Sequence, residues 1–260
     1  MIERGFTLVI PLYNKAHCVR QTLDSVLNNH GEYPFKCIIV DDDSTDGSSQ
    51  IGEEYDTKYP DVFTYYKIKH HGNKTPVNAR NTGIRLAETE YIGFLDADDE
   101  LCAGFIDRGC NFLDEHHEYS LYGNGNIIHD NDNNYSIRKC SIDVVNNFID
   151  YLCNEGLSTH FCASVYKTQL IKECLFRNVF SEDVLFQLEY IYKNEPIYID
   201  STITNSIIWN RMFNDSYQWN EQRTNEHGMY EVFKSLENLV PNFKYKFYLD
   251  ENGSFWFGYK

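Results

Sequence analysis

The stretch Tyr91-Ile92-Gly93-Phe94-Leu95-Asp96-Ala97-Asp98-Asp99-Glu100 decides how the rest of the chain is read. Tyr91 to Leu95 form an apolar run too short for a helix and suited to a buried strand. The run breaks into three carboxylates, Asp96, Asp98 and Asp99. Asp96 and Asp98, two residues apart past the end of a strand, can point the same way, and the small Ala97 between them leaves room. Hard oxygen ligands of this kind suit Mg²⁺ or Mn²⁺, which keep open positions for substrate phosphates. The same acids also fit the first turn of a helix, where the dipole favours negative charge. The pattern alone leaves both readings open.

Upstream, strands that end in polar turns recur. Residues 6–11 and 35–40 are short apolar runs; Pro11 closes the first, and Asp41-Asp42-Asp43-Ser44-Thr45-Asp46-Gly47 follows the second with turn and cap chemistry. Val19, Leu23, Val26 and Leu27 recur at helical spacing within 18–29. A helix is expected over 47–58, a strand over 62–68, and a third helix opened by Thr75-Pro76 with Val77, Ile84 and Ala87 on its buried face. Strands and helices alternating with short connections predict an α/β fold: a mainly parallel central sheet flanked by helices. Ligands of such sheets bind beyond the carboxyl ends of the strands, so residues 11–14, 41–44 and 96–99 share one rim. A carboxylate there, such as Asp42, can accept the imide N–H of a nucleobase; Arg80 can either reach a pyrophosphate or sit at the surface paired with an acid.

Past residue 100 the order changes. Helices are expected over 105–116, 141–154 (Val144, Val145, Phe148, Leu152), 167–173 and 182–193. Short strands fit 119–123, 164–166, 197–200 and 206–209, with a polar loop or hairpin over 124–134. The tail reads as a helix over 226–239 and a β-hairpin turning at Asn252-Gly253.

Composition excludes several classes. The net charge of −16 over 260 residues argues against a nucleic-acid partner, which needs a basic stripe. It also opposes broad attraction to anionic lipid, leaving room only for a local, peripheral membrane contact. The first residues reach Pro11 too soon for a signal peptide, and no run approaches the ~20 apolar residues that span a bilayer. A cytoplasmic protein is expected. The eight cysteines include no CxxC pair and read as reduced structural thiols. Asp42 to Glu53 nearly satisfies a calcium-loop pattern, but a strand-like run precedes it where a helix is required. No Walker loop, GxGxxG or GxSxG motif occurs.

Four stretches, taken together, resemble the inverting family-2 glycosyltransferases of the GT-A fold. They are Thr7-Leu8-Val9-Ile10-Pro11-Leu12-Tyr13-Asn14-Lys15, Ile39-Val40-Asp41-Asp42-Asp43-Ser44-Thr45-Asp46-Gly47-Ser48, Ala79-Arg80-Asn81-Thr82-Gly83 and Phe94-Leu95-Asp96-Ala97-Asp98-Asp99. Phe180 to Phe186 resembles the family's Glu-Asp motif. The resemblance implies a single Rossmann-like GT-A domain over 1–215, with a nucleotide-binding half (1–100) and an acceptor half (101–215), then a C-terminal helix and hairpin over 216–260. It implies a nucleotide-sugar donor, a UDP-sugar, held by Pro11, Tyr13, Asp42, Arg80, Asp96, Ala97 and Arg211. It implies Mn²⁺ or Mg²⁺ on Asp98 and Asp96, and Asp183, with Glu182 as fallback, as the general base. A glycan or lipid-linked acceptor in bacterial surface polysaccharide synthesis is implied, and a homo-oligomer is compatible; His160 fits an ordinary polar contact better than a lining of the acceptor pocket. Asp43 stands where the family has glycine, and no Gln-x-x-Arg-Trp motif is present, which implies transfer of one sugar at a time. Two other readings compete: a non-catalytic nucleotide-sugar-binding subunit, and a sugar-1-phosphate nucleotidylyltransferase. The latter needs a glycine-rich phosphate loop that Pro11-Leu12-Tyr13-Asn14 is not.

Overall fold

The computed structural model of the chain describes residues 2–259 apart from 30, 71, 73–74, 130–134, 139–143, 149–150, 152–160, 180, 210–231, 233, 241–244 and 250–254. The first half runs β1 (Glu3–Leu12), α1 (Val19–Leu27), β2 (Phe35–Asp41), α2 (Ser48–Lys58), β3 (Phe63–Lys67), α3 (Val77–Leu86) and β4 (Thr89–Phe94). The second runs β5 (Glu100–Leu101), α4 (Phe105–Glu115), β6 (Leu121–His129), β7 (Tyr135–Arg138), β8 (Val144–Val145), β9 (Ser164–Lys167), α5 (Thr168–Ile171), α6 (Glu182–Asn194) and β10 (Ile197–Trp209). Strands β11 (Tyr245–Leu249) and β12 (Phe255–Tyr259) pair as a separate two-stranded sheet.

The main sheet has the order β3-β2-β1-β4-β9-β6-β10-β5. Its first four strands are parallel, as the alternating pattern predicts. Beyond β4 it becomes mixed: β9 is antiparallel to both β4 and β6, β6 and β10 are parallel, and β5 is antiparallel to β10. Alternation along β1 sends Phe6, Leu8 and Ile10 to one face, where they meet Val19, Leu23 and Val26 of α1 and Phe105 and Ile106 of α4. Val9 faces the other way, into a cluster with Ile84, Ile92, Phe94, Phe176 and Phe186. Gly83 is what lets α3 lie against β1: a Cβ there would come 2.2 Å from Val9 Cγ1.

Several expectations need correcting. Val144 and Val145 form a short strand paired with β10, although their spacing with Phe148 suits a helix. Backbone partners on β10 outweigh that local periodicity. Strand β6 continues through residues 124–129, and the hairpin begins only with β7. The two short strands expected at 197–209 are one strand, with register shifts between Asp200 and Ser206. At the tail, residues 234–239 are helical. Val232, Leu236 and Val240 join the cluster around Phe94, so this helix packs on the main core. The hairpin is as expected; Asn252 and Gly253 lie outside the described residues. All six described cysteines are free thiols. Among the described residues, no helix is long and apolar enough to cross a membrane.

Candidate active site

The rim is built from turns that follow β1, β2 and β4. Asn14 (φ 51°) and Asp43 (φ 64°) both adopt the left-handed conformation, which Asn and Asp tolerate better than most residues. Aspartate therefore serves at position 43 in the conformation that favours glycine. The two turns lock together: Asn14 N–H donates to Ser44 Oγ (3.1 Å), Thr45 N–H donates to Asn14 Oδ1 (2.8 Å) and Lys15 N–H donates to Ser48 Oγ (2.7 Å). Asp41 is consumed in holding this turn, accepting from Ser44 N–H (2.9 Å), Tyr65 OH (2.5 Å) and Ser49 Oγ (2.5 Å).

Asp42, the next residue, is buried as well. Its backbone N–H is bound to Leu12 O (2.8 Å), which fixes the side chain at the mouth between β1 and β2. Its Oδ2 lies 2.8 Å from His70 Nδ1, while its Oδ1 is buried without a partner. The exposed ring of Tyr13 stacks on His70, with centroids 4.9 Å apart and planes within 9°. His70 is not among the residues that the sequence singled out. The available signal was its place three residues past β3, on the same rim. Pro11 is buried within β1, opposite Val40 of β2.

Asp98 and Asp96 stand at the same rim, with side chains 29% and 30% exposed. Lys15 Nζ lies 2.7 Å from Asp98 Oδ2 and joins the first turn to the third. Burial by itself would push the Lys15 ammonium down, but Asp98 beside it prevails and its pKa is raised. Asp99 is buried, its N–H bound to Asp96 O (3.0 Å). Oxygens of Asp96 and Asp99 and the Cys162 sulfur gather within 4.8 Å of one another. That cluster is a poor match for a hard cation: burial pushes the Cys162 thiol well up, so it stays protonated, and sulfur is a soft donor. Asp96 and Asp98 are the part-exposed hard oxygen donors that would suit Mg²⁺ or Mn²⁺, each paired here with a side-chain cation, Arg80 and Lys15.

Arg80 takes the second of its two expected roles, pairing with acid, but not at the surface. Instead of projecting to the rim it is buried, with one terminal nitrogen 2.7 Å from Asp96 Oδ1 and the other 2.7 Å from Glu182 Oε1. Its guanidinium lies over the rings of Phe161 (4.4 Å) and Phe176 (5.3 Å). Ala97 is also turned inward, its carbonyl accepting from Thr22 Oγ1 (2.9 Å). Burial raises the Glu182 carboxyl; Arg80 opposes this and Asp183 adds to it. Asp183, beside it in the first turn of α6, is part-buried and makes no hydrogen bond or ion pair among the described residues. Arg211 and His160 lie outside the described residues.

Residues 7–175 match the model of glycosyl transferase family 2, and the chain belongs to that family. The poly(ribitol-phosphate) beta-glucosyltransferase of Bacillus spizizenii is 30% identical over 168 residues, which are 64% of this chain and 26% of that protein. The minor teichoic acid biosynthesis protein GgaB of Bacillus subtilis is 38% identical over 43% of this chain and 12% of its own length. The chain thus spans about a quarter or less of these curated relatives. Among solved structures, S. aureus TarS 1-349 in complex with UDP-GlcNAc superposes with a TM-score of 0.68 at 22% identity, covering 92% of this chain and 68% of that one. The shared architecture is the GT-A fold.

Proposed function

We propose that this chain is an inverting glycosyltransferase that moves one sugar from a UDP-sugar to a hydroxyl of a bacterial surface-polysaccharide acceptor. The observation that carries the reading is the Arg80 bridge. One guanidinium holds both Asp96, in the turn after β4, and Glu182 of α6, which supports reading the first turn of α6, and Asp183 with it, as part of the same site. The names of the relatives support the substrate class: a poly(ribitol-phosphate) glucosyltransferase, and a structure holding UDP-GlcNAc.

In this reading Tyr13 and Asp42 receive the base, the exposed ring by stacking and the carboxylate by accepting an imide N–H. Asp96 and Asp98 would hold Mn²⁺ or Mg²⁺, which would supply Lewis-acid neutralisation of the departing diphosphate. Asp183 takes the proton of the acceptor hydroxyl as its oxygen bonds to the anomeric carbon. The bond from that carbon to the diphosphate oxygen breaks on the opposite face, the electron pair leaves with UDP, and the configuration inverts. Glu182 is the weaker choice of base because Arg80 occupies it. Its role is to position α6. The protein works at the cytoplasmic side, where nucleotide sugars are made, with a glycan or lipid-linked acceptor.

The test is a panel of nucleotide sugars and polyol-phosphate acceptors, read as sugar transfer. Asp183→Asn should lower transfer at least ~10²-fold while leaving UDP affinity within about two-fold, as expected for a lost general base. Asp98→Asn should weaken Mn²⁺ binding, followed by electron paramagnetic resonance. UDP binding without turnover on any acceptor would favour the non-catalytic binding subunit instead.

A further inference from the structure

We propose that His70 is an internal occupant of the nucleobase subsite, and that donor binding exchanges its imidazole for the base. The proposal rests on the reading of Tyr13 and Asp42 as that subsite. A uracil held there needs two things: a flat face against Tyr13, and an N–H aimed at Asp42. The His70 imidazole already supplies both. It lies parallel to Tyr13 at 4.9 Å and its Nδ1 is 2.8 Å from Asp42 Oδ2. With Asp42 ionised, that nitrogen carries the proton, as the acceptor requires.

The state of Asp42 favours displacement. One carboxylate oxygen is paired with His70, and the other is buried with no partner. A base approaching this carboxylate therefore competes with the imidazole for it. The pairing with His70 also offsets the cost of burying Asp42, since an unpaired buried charge is costly. The imidazole can leave without disturbing the sheet. The ladder between β2 and β3 ends at Lys67, and Ile68 N–H bonds Asp41 O (2.9 Å), so rotating the His70 side chain breaks no strand pair. His70 is also about a quarter exposed, so a path outward exists.

A self-occupied site binds its ligand more weakly by the fraction of molecules in which it is open. His70 therefore tunes donor affinity, and it returns to Asp42 as UDP departs. Titration of the whole chain with UDP in the presence of Mg²⁺, followed by calorimetry without acceptor, tests this. His70→Ala should bind UDP about five- to 150-fold more tightly, the range set by one hydrogen bond and one stacked pair. In the wild-type protein, the His70 ring proton resonances should move to free-imidazole positions as UDP saturates the site, a readout that needs no variant. Equal or weaker UDP binding by His70→Ala, or a His70 resonance unmoved at saturation, overturns the proposal; weaker binding would make the ring a fixed wall of the site. Asp42→Asn separates the two ideas. If it leaves UDP affinity unchanged, the base subsite itself is misassigned. If it weakens binding while His70→Ala fails to tighten it, only the exchange is wrong.

Discussion

Arg80 shows how far a single residue can differ from its local pattern. A lone arginine one turn into a helix beside an acidic rim looks available to a phosphate, yet here both terminal nitrogens are spent on carboxylates, one of them from residue 182. Arg80→Met should therefore cost about 3–5 kcal/mol by urea denaturation, because it leaves two carboxylates uncompensated in a largely buried setting. Arg80→Lys should recover only part, since an ammonium cannot span the two acceptors as a planar fork does. A loss below ~1 kcal/mol for Arg80→Met would show that the bridge carries little stability. The sequence could not reveal this partnership because its deciding member lies 102 positions away. The same limit hid His70, whose meaning depends on Tyr13 and Asp42 arriving beside it. That Asp42 shares a rim with Asp96 and Asp98 was legible because the first follows β2 and the other two follow β4, at carboxyl ends within the parallel part of one sheet.

Elements were read best where chemistry is local. Gly47, in the left-handed conformation at φ 100°, starts α2, and Asp46 before it fastens the helix to the first turn. Asp46 accepts from Ser48 N–H (3.0 Å), from Ser48 Oγ (2.5 Å) and from Ala16 N–H (3.0 Å). Burial alone would raise this carboxyl, but those bonds outweigh it and hold it below its usual range. A depressed folded-state pKa contributes stability above the unfolded value, and that stability is lost as pH falls through the folded one. Asp46→Ala should thus cost roughly 0.5–2 kcal/mol at neutral pH, and wild type and variant should converge in acid. A gap that persists in acid, once the pH is below both the folded and the unfolded value, would reject this origin. Helix α3 sits where it does because residue 83 lacks a side chain. Gly83→Ala should cost about 1–3 kcal/mol through contact with Val9, and Val9→Ala should relieve part of that cost in the double mutant. Simple additivity of the two changes would mean that α3 shifts freely. Elements were misread where pairing at long range decides, as at Val144–Val145 and along β10. There the partner strand, not the local apolar spacing, sets the conformation.

At the scale of the whole molecule, the sheet divides as the chemistry of the proposed reaction does. The parallel part, β3-β2-β1-β4, carries the residues proposed for the base and diphosphate, and α6 with its acids follows in the second half of the chain. The chain carries a net charge of −16, yet the proposed donor is itself a polyanion. Long-range electrostatics therefore oppose the encounter, and affinity has to come from short-range contacts and from cations brought to Asp96 and Asp98. This reverses the usual salt dependence of a phosphate-binding protein. In the absence of divalent metal, the UDP on-rate should rise by about two- to five-fold between 0.01 and 0.15 M NaCl, where the screening length falls from ~30 to ~8 Å. A rate that falls instead would mean that a local basic surface overrides the total charge, and the residues flanking the rim, Lys15 first, would then be the ones to neutralise.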